Sequence, residues 1–491
     1  MERSTLKTTM SRPAINPHIF RQYDIRGLVG KDLTPEVLEA VGRAFGSLIR
    51  DRKAEPDAGS TPRARKRITL GRDVRESSST FAEAFAKGAS AAGVDVIDIG
   101  MVTTPMLYFS IFHFDADGGA MITGSHNPVT YNGIKLCGGK WPIHGEEILA
   151  LRDRIAEGRF STGAGTVESR SVLKEYSEQL KSRFPHPLPY RVVVDAGNGA
   201  AGPFFPTIAR ELGCWIDELY CEPDGRFPNH LPDPEEAQNV QDLIARVQTL
   251  GADLGLAFDG DSDRVGVIAE NGEKVSSDRL VLLFAKHYLA KHPGGKVIYD
   301  VKCSEILEPE IRAAGGVPIM WKTGHSLIKK KMREENALLA GELSGHICIY
   351  KDYYGFDDAF FAAFLALEIR RATGRTLASL LAELPATFTT HEIKVLCPDE
   401  EKFQLVEDLL GRARATGDRV IDIDGVRIVG KDGWALVRAS NTTPCLTVRF
   451  ESRSAEGLER VIQRTETLLK VFPKLDLSDF QRAHPSPSAI H

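Results

Sequence analysis

The stretch Thr123-Gly124-Ser125-His126-Asn127-Pro128 offers one hydroxyl in a setting suited to carrying a phosphate. Upstream, Gly119 to Ile122 reads as a short buried strand. The glycine and the Asn-Pro pair then force a turn that lifts Ser125 out of the core at the strand's end. A serine there is more often a turn residue than a nucleophile. The balance changes 134 residues later, at Asp259-Gly260-Asp261-Ser262-Asp263-Arg264. Alternate side chains of an extended loop share one side, so three carboxylates converge and need a cation. Hard oxygens without His or Cys favour Mg²⁺ over zinc. The bland reading is a solvated acidic hairpin. A sharper rival is a calcium loop of the EF-hand type, with Glu270 at its twelfth position. Its sixth position, normally Gly, would be Arg264, and the flanks Leu254 to Phe258 and Val265 to Ala269 read as strands rather than helices.

Two further clusters carry chemistry. Glu342 and Ser344, in Gly341-Glu342-Leu343-Ser344-Gly345-His346, lie two apart and can present an acceptor and a hydroxyl to adjacent sugar hydroxyls. The same residues would also make a Gly-flanked turn with a capping Ser. Arg438-Ala439-Ser440-Asn441-Thr442-Thr443-Pro444 crowds guanidinium, hydroxyl and amide donors into a turn, a group matched to a phosphate. Lys329 to Lys331 reads as a solvated helix face. A different class of function is suggested by Gly197-Asn198-Gly199-Ala200-Ala201-Gly202. This stretch matches the dinucleotide fingerprint, follows a strand, opens a helix and has Asp217 and Glu218 about twenty residues on. Against it, Asp195 precedes the first glycine and would repel a pyrophosphate, so a tight packing turn is the stronger reading.

The elements that position these loops alternate. Thr34 can cap a helix with Pro35 in its first turn and Val37, Leu38, Val41, Ala44, Phe45, Leu48 and Ile49 on one face. Residues 51–67 are basic, Pro- and Gly-bearing, and read as an exposed loop insertion. Ile68 to Leu70 is strand-like, Phe81 to Ala92 helical and Val94 to Asp98 strand-like, which implies a parallel α/β domain. The grammar recurs at Arg191 to Asp195 and at Lys296 to Asp300, each ending in an acid, and hints at internal repetition. After about residue 385, strand-like Arg419 to Asp424, Trp434 to Ala439 and Leu446 to Phe450 alternate with amphipathic helices, as in a smaller α+β domain. A Pro- and Ser-rich tail follows from about Ala483.

Bulk numbers set limits. A chain of 491 residues is too long for one core. With 42% hydrophobic and 26% charged residues and a net charge of −5, it is neither disordered nor a general nucleic-acid binder. Seven scattered cysteines without a C-x-x-C pair read as reduced thiols. Met1 to Phe20 has no apolar core, and no run of eighteen apolar residues occurs, so the expectation is a soluble cytoplasmic protein with no membrane contact.

With these four loops located, the chain resembles the α-D-phosphohexomutases along nearly its whole length, and within them the bifunctional phosphomannomutase/phosphoglucomutase group. The T-G-S-H-N-P, D-G-D-x-D-R, G-E-x-S-G-H and R-x-S-N-T loops occur in that family's order and spacing. The resemblance implies an α/β protein of four domains around a central cleft: three related α/β domains and a C-terminal α+β domain. The expected divisions are 1–170, 171–273, 274–385 and 386–482, with 483–491 a frayed tail.

It further implies that Ser125 is a phosphoserine and binds Mg²⁺ together with Asp259, Asp261 and Asp263. Arg26 (in Tyr23-Asp24-Ile25-Arg26-Gly27), His126, Lys135 and Arg264 match residues around the reacting phosphoryl group. Tyr23, Lys302 and His325 match substrate positions, Glu342 and Ser344 the sugar loop, and Arg438, Ser440, Asn441 and Thr442 a distal phosphate clamp. The implied reaction is phosphoryl transfer between C1 and C6 of mannose or glucose phosphates through a 1,6-bisphosphate. Glucose or mannose 1,6-bisphosphate would be the activator, and either Lys135 or His126 the proton exchanger. Water exclusion predicts that the C-terminal domain closes over substrate.

Alternatives are a single-sugar mutase (glucosamine less so, since Ser-Asn-Thr replaces the Ser-Gly-Thr usual there), a phosphatase, and the dinucleotide oxidoreductase. Departures from the family pattern are Ser262 for Gly, Leu343 for Met, and Cys303-Ser304-Glu305 after Lys302, where basic residues are common.

Overall fold

A computed structural model describes residues 15–53, 64–440 and 444–478. Most of the basic insertion, the tail beyond Ala483, and Asn441, Thr442 and Thr443 of the clamp lie outside the described residues. The chain forms two compact units, Met1–Val172 with Asp224–Arg226, and Leu173–Pro223 with Phe227–His491.

The first unit is one mixed sheet with helices against it. The helix Pro35–Asp51 starts as its sequence predicts: Thr34 accepts the Val37 amide and Pro35 occupies the first turn. Its face of Val37, Leu38, Val41, Ala44, Phe45 and Ile49 is buried, and each large side chain contributes roughly 1.5–3 kcal/mol through that burial. It crosses the helix Ser78–Ala91 at two glycines. A Cβ on Gly42 would lie 2.2 Å from the Phe85 carbonyl, and one on Gly88 would lie 2.0 Å from that of Glu39.

One plan is used three times. In the first unit, strands Tyr131–Gly138, Gly118–Ile122, Arg67–Arg72 and Asp95–Met101 lie side by side. The first pair is antiparallel and the others are parallel. In the second unit, Val265–Ala269, Leu254–Phe258, Arg191–Asp195 and Trp215–Leu219 repeat this order and these senses. Ile347–Ile349, Leu339–Gly341, Lys296–Asp300 and Val317–Trp321 repeat it again. The inner strands Gly118–Ile122, Leu254–Phe258 and Leu339–Gly341 are buried along their whole length, as strands covered on both faces must be. The serine loop, the carboxylate loop and the Glu342 loop are therefore the same structural loop, the turn of the antiparallel hairpin, in three successive repeats.

The fourth sheet is antiparallel: Phe388–Thr389, Cys445–Ser452, Gly433–Ala439, Val426–Gly430 and Arg419–Ile421, with Ile393–Leu396 also on Cys445–Ser452. Helices Lys402–Arg414 and Ala455–Leu469 close its core around Val395, Leu409, Val437, Val448 and Leu458. The strand expected over 419–424 stops at Ile421, because the chain turns at Gly425, φ +87°, into Val426–Gly430.

Candidate active site

The serine loop is built around a guanidinium. Arg75, with its side chain 2% exposed, donates through Nη2 to the carbonyls of Ser125 (2.8 Å) and Asn127 (2.5 Å). Through Nη1 it donates to those of Pro128 (2.9 Å) and Tyr131 (2.9 Å). Asp73 accepts from the Gly124 amide at 3.1 Å and from Ser78 Oγ at 2.5 Å. Drawn inward this way, Ser125 is buried at 4% exposure instead of standing clear of the core as the turn signals suggested. Its backbone is left-handed, φ +47°, a costly conformation for a residue with a Cβ. Ser125 Oγ lies 3.1 Å from His126 Nδ1. Arg26 reaches the same loop, donating to Asn127 Oδ1 at 3.0 Å while pairing with Asp24. Lys135, buried, stands opposite Met121 on the neighbouring strand, and Tyr23 precedes the strand that carries Arg26.

In the second unit, Asp259, Asp261 and Asp263 are all fully buried, with ligand oxygens within 4.8 Å of one another. The convergence comes from a tight turn, not from extended alternation: the Ser262 amide bonds to the Asp259 carbonyl and Ser262 is left-handed, φ +62°. That backbone explains why glycine suits position 262. The flanks are a hairpin with Phe258 opposite Val265, which removes the EF-hand reading. Arg264 binds Asp259 Oδ2 at 3.2 Å and Asp233 Oδ1 at 3.4 Å. Burial opposes its charge, but Asp259, Asp233 and Asp263 keep it protonated far above neutrality. Its Nη2 is buried without a partner among the described residues. Three buried carboxylates and one guanidinium leave net negative charge and hard oxygen donors, a set that fits a divalent cation such as Mg²⁺.

The Glu342 loop adjoins this turn, since the backbones of Arg264 and His346 form an antiparallel bridge. His346 is a residue the sequence reading quoted but did not single out. Its Nδ1 lies 2.9 Å from Asp357 Oδ2 and 3.7 Å from Asp263 Oδ1, and its ring stacks on His325 at 5.2 Å. Lys329 closes the group at 2.7 Å from Asp357 Oδ1. Lys329 is 1% exposed, so the expectation of a wholly solvated lysine face fails there; Lys330 alone of the three is exposed. Helical spacing places Lys329 on the inner face, where Asp357 compensates its charge. Although burial alone would raise Asp357, Lys329 and His346 hold it well below the usual carboxylate range.

Glu342 is also turned inward. It accepts the Gly324 amide at 2.5 Å, and burial pushes its carboxyl up to about 7 against the pull of His346. Ser344 stays partly exposed on the same loop. Lys302 Nζ lies 3.6 Å from Glu392 Oε2. Arg438, 7% exposed, pairs with Asp424 at 3.1 Å, and Asp424 also accepts the Thr323 amide at 3.1 Å. Ser440 is held by a backbone bond to the Cys445 carbonyl.

The fingerprint turn at 197–202 has another job. Its successive amides are taken by Asp195 Oδ1 (2.8 Å, Gly197), Tyr220 O (2.7 Å, Asn198), Ala196 O (2.7 Å, Gly199) and Gly260 O (3.0 Å, Ala200). No helix opens there; Phe205–Glu211 begins three residues later. A turn with these amides spent cannot cradle a pyrophosphate, so it serves as the support of the carboxylate loop.

Comparison with known proteins gives consistent results. Four family models for phosphoglucomutase/phosphomannomutase match in order: α/β/α domains I, II and III over residues 17–162, 173–272 and 276–388, and the C-terminal domain over 392–468. A Pseudomonas aeruginosa phosphomannomutase/phosphoglucomutase is 43% identical over 454 residues, covering 92% of this chain and 96% of the relative. A Neisseria gonorrhoeae phosphoglucomutase is 40% identical over 466 residues, 94% and 99% of the two chains. The crystal structure of a phosphoglucomutase/phosphomannomutase family protein from Burkholderia thailandensis superposes with a TM-score of 0.86 at 40% identity, covering 93% and 98%.

Proposed function

The chain belongs to the phosphoglucomutase/phosphomannomutase family, and from that premise we propose that it moves a phosphoryl group between C1 and C6 of mannose and glucose phosphates. The observation that carries the reading is the carboxylate turn. Three buried carboxylates converge beside a buried guanidinium with a free nitrogen, a seat for a cation next to a seat for a phosphoryl oxygen.

Ser125, as phosphoserine, gives its phosphoryl group to the free hydroxyl of a bound hexose 1- or 6-phosphate. The Oγ–P bond breaks, a new P–O bond to the sugar forms, and the sugar hydroxyl's proton passes to His126 or Lys135 and from there to the freed serine oxygen. His126 Nδ1 lies 3.1 Å from the serine oxygen, within reach of that exchange. The resulting 1,6-bisphosphate turns end for end and returns its other phosphoryl group to Ser125. Asp259, Asp261 and Asp263 would hold Mg²⁺ with a phosphoserine oxygen, and the bound ion supplies charge neutralisation on the group in transfer. Arg26 and Arg264 offset further charge on the equatorial oxygens, and Lys135 adds a cation to that set.

Arg438 and Ser440, with Asn441 and Thr442, hold the phosphate that is not reacting. Glu342 and Ser344 engage sugar hydroxyls away from C2, the one centre at which mannose and glucose differ, so both sugars are accepted. Tyr23, Lys302 and His325 complete the substrate contacts. A trace of glucose or mannose 1,6-bisphosphate primes the serine. We further propose domain divisions near 170, 273 and 385, and a cytoplasmic location; among the described residues no helix is long and apolar enough to cross a membrane.

The test is a coupled assay with Mg²⁺ and a trace of glucose 1,6-bisphosphate, comparing mannose 1-phosphate with glucose 1-phosphate, beside Ser125→Ala. Turnover of both sugars, largely lost in the variant, is expected. Release of inorganic phosphate without isomerisation would overturn the reading.

A further inference from the structure

Arg427 is a buried cation whose charge is compensated by buried Glu451 at longer range than an ion pair. It sits in the strand Val426–Gly430 at 1% exposure, with its guanidinium carbon 3.7 Å above the centroid of Trp434. Among the described residues no carboxylate comes within ion-pair distance of it. Instead, Nη1 donates to the carbonyls of Val301 (2.6 Å) and Cys303 (2.9 Å). These are the two carbonyls either side of Lys302. Beside it, fully buried Glu451 accepts from Trp434 Nε1 at 2.9 Å and from the Glu305 amide at 2.9 Å. Val301 packs with Trp434 and Leu436 in one apolar cluster.

Desolvating a guanidinium is unfavourable, and both of its hydrogen bonds leave the C-terminal sheet for the backbone either side of Lys302. What the arrangement achieves is local. Three hydrogen bonds from the C-terminal sheet fix the backbone of residues 301–305, which belongs to the exit of the strand Lys296–Asp300. The Lys302 ammonium faces Glu392, at the entry to that same sheet.

We propose that Arg427 is a positioning residue for substrate capture. It clamps the backbone around Lys302 so that the lysine is presented to the phosphosugar by the C-terminal domain. Arg427 and Arg438 lie on adjacent paired strands, Val426–Gly430 and Gly433–Ala439, so the clamp on the backbone of Lys302 and the distal phosphate clamp share one sheet. The inference rests on the reading of Lys302 as a substrate contact.

Steady-state kinetics on glucose 1-phosphate with Arg427→Met, Lys302→Ala and the double variant test it. Arg427→Met is expected to raise KM about tenfold or more and to change kcat less than about threefold, with Arg427→Lys restoring part of the loss. Because Arg427 acts through Lys302, the double variant should be no worse than Lys302→Ala alone. A KM within about twofold of wild type in Arg427→Met, or single effects that multiply in the double variant, overturns the proposal while leaving the mutase reading intact. An unchanged KM in Lys302→Ala removes the premise and the proposal with it. If Arg427→Met does not fold, hydrogen exchange on Arg427→Lys decides. Faster exchange across 301–306 with 433–439 unchanged supports the clamp, and unchanged exchange at 301–306 overturns it.

Discussion

Arg75 shapes the loop that carries Ser125, the proposed phosphoryl carrier. Four carbonyls of the serine loop converge on its guanidinium, and Ser125 is held at φ +47° in consequence. A lysine at this position keeps the charge but cannot span four acceptors with a planar fork. Arg75→Lys is therefore expected to leave KM for the phosphosugar within about threefold and to lower kcat about 100-fold, the usual cost of an ångström-scale misplacement. An unchanged kcat would show that the loop holds its own shape. Glu342 gives a prediction of different sign. Its carboxyl titrates at about 7 in the folded chain, against about 4.3 unfolded. A raised carboxyl favours the folded state fully below the unfolded value and loses that contribution as pH rises through 7. Glu342→Gln never ionises. Its melting temperature should match wild type near pH 5 and exceed it by several degrees at pH 8; a constant gap across that range would contradict the burial account. Arg75 was not legible in the sequence, because its partners are backbone carbonyls fifty residues away and leave no motif.

At the scale of elements, the legible parts were those written in local pattern: the Thr34-capped helix and the apolar strands Leu254–Phe258 and Val265–Ala269. The acids ending two of the central strands, Asp195 and Asp300, were visible but their purpose was not, and Asp73, just past the strand Arg67–Arg72, left no such mark. Asp73 and Asp300 each accept an amide of their own repeat's functional loop, Gly124 at 3.1 Å and Leu343 at 3.3 Å, while Asp195 caps the turn that supports the third loop. This equivalence is one of topology, and the three loops share no sequence that would betray it. The fingerprint glycines serve the packing turn that Asp195 already favoured in the sequence: Gly202 is required by packing, since a Cβ there would stand 1.9 Å from the Cys221 carbonyl. Gly202→Ala must push that turn away and strain the Ala200–Gly260 bond beneath the carboxylate loop. We expect a drop in melting temperature of several degrees and a several-fold rise in the Mg²⁺ concentration giving half-maximal activity. A variant that loses stability but keeps its Mg²⁺ dependence would separate the two elements.

Across the whole molecule, charge is placed where a folded chain can least tolerate it unaided. The carboxylates of 259, 261 and 263 lie at zero exposure with Arg264 beside them, and the turn they occupy joins two strands buried through their length. Like charges at this range repel strongly in a low-dielectric setting, so the ion-free protein carries an unfavourable term that ion binding removes. An ion that binds only the folded state stabilises it by RT ln(1 + [L]/Kd), about 2.7 kcal/mol at a hundredfold excess over Kd. Chelation should therefore do more than stop turnover: it should lower the melting temperature, and Mg²⁺ should restore both. Asp261→Asn relieves part of the repulsion and removes a ligand. It is expected to melt higher than wild type in chelator, to gain little from Mg²⁺ and to be inactive. If Mg²⁺ shifted the variant and the wild type equally, the ion would be acting elsewhere on the chain, and the three carboxylates would be a structural cluster held by Arg264 and its neighbours.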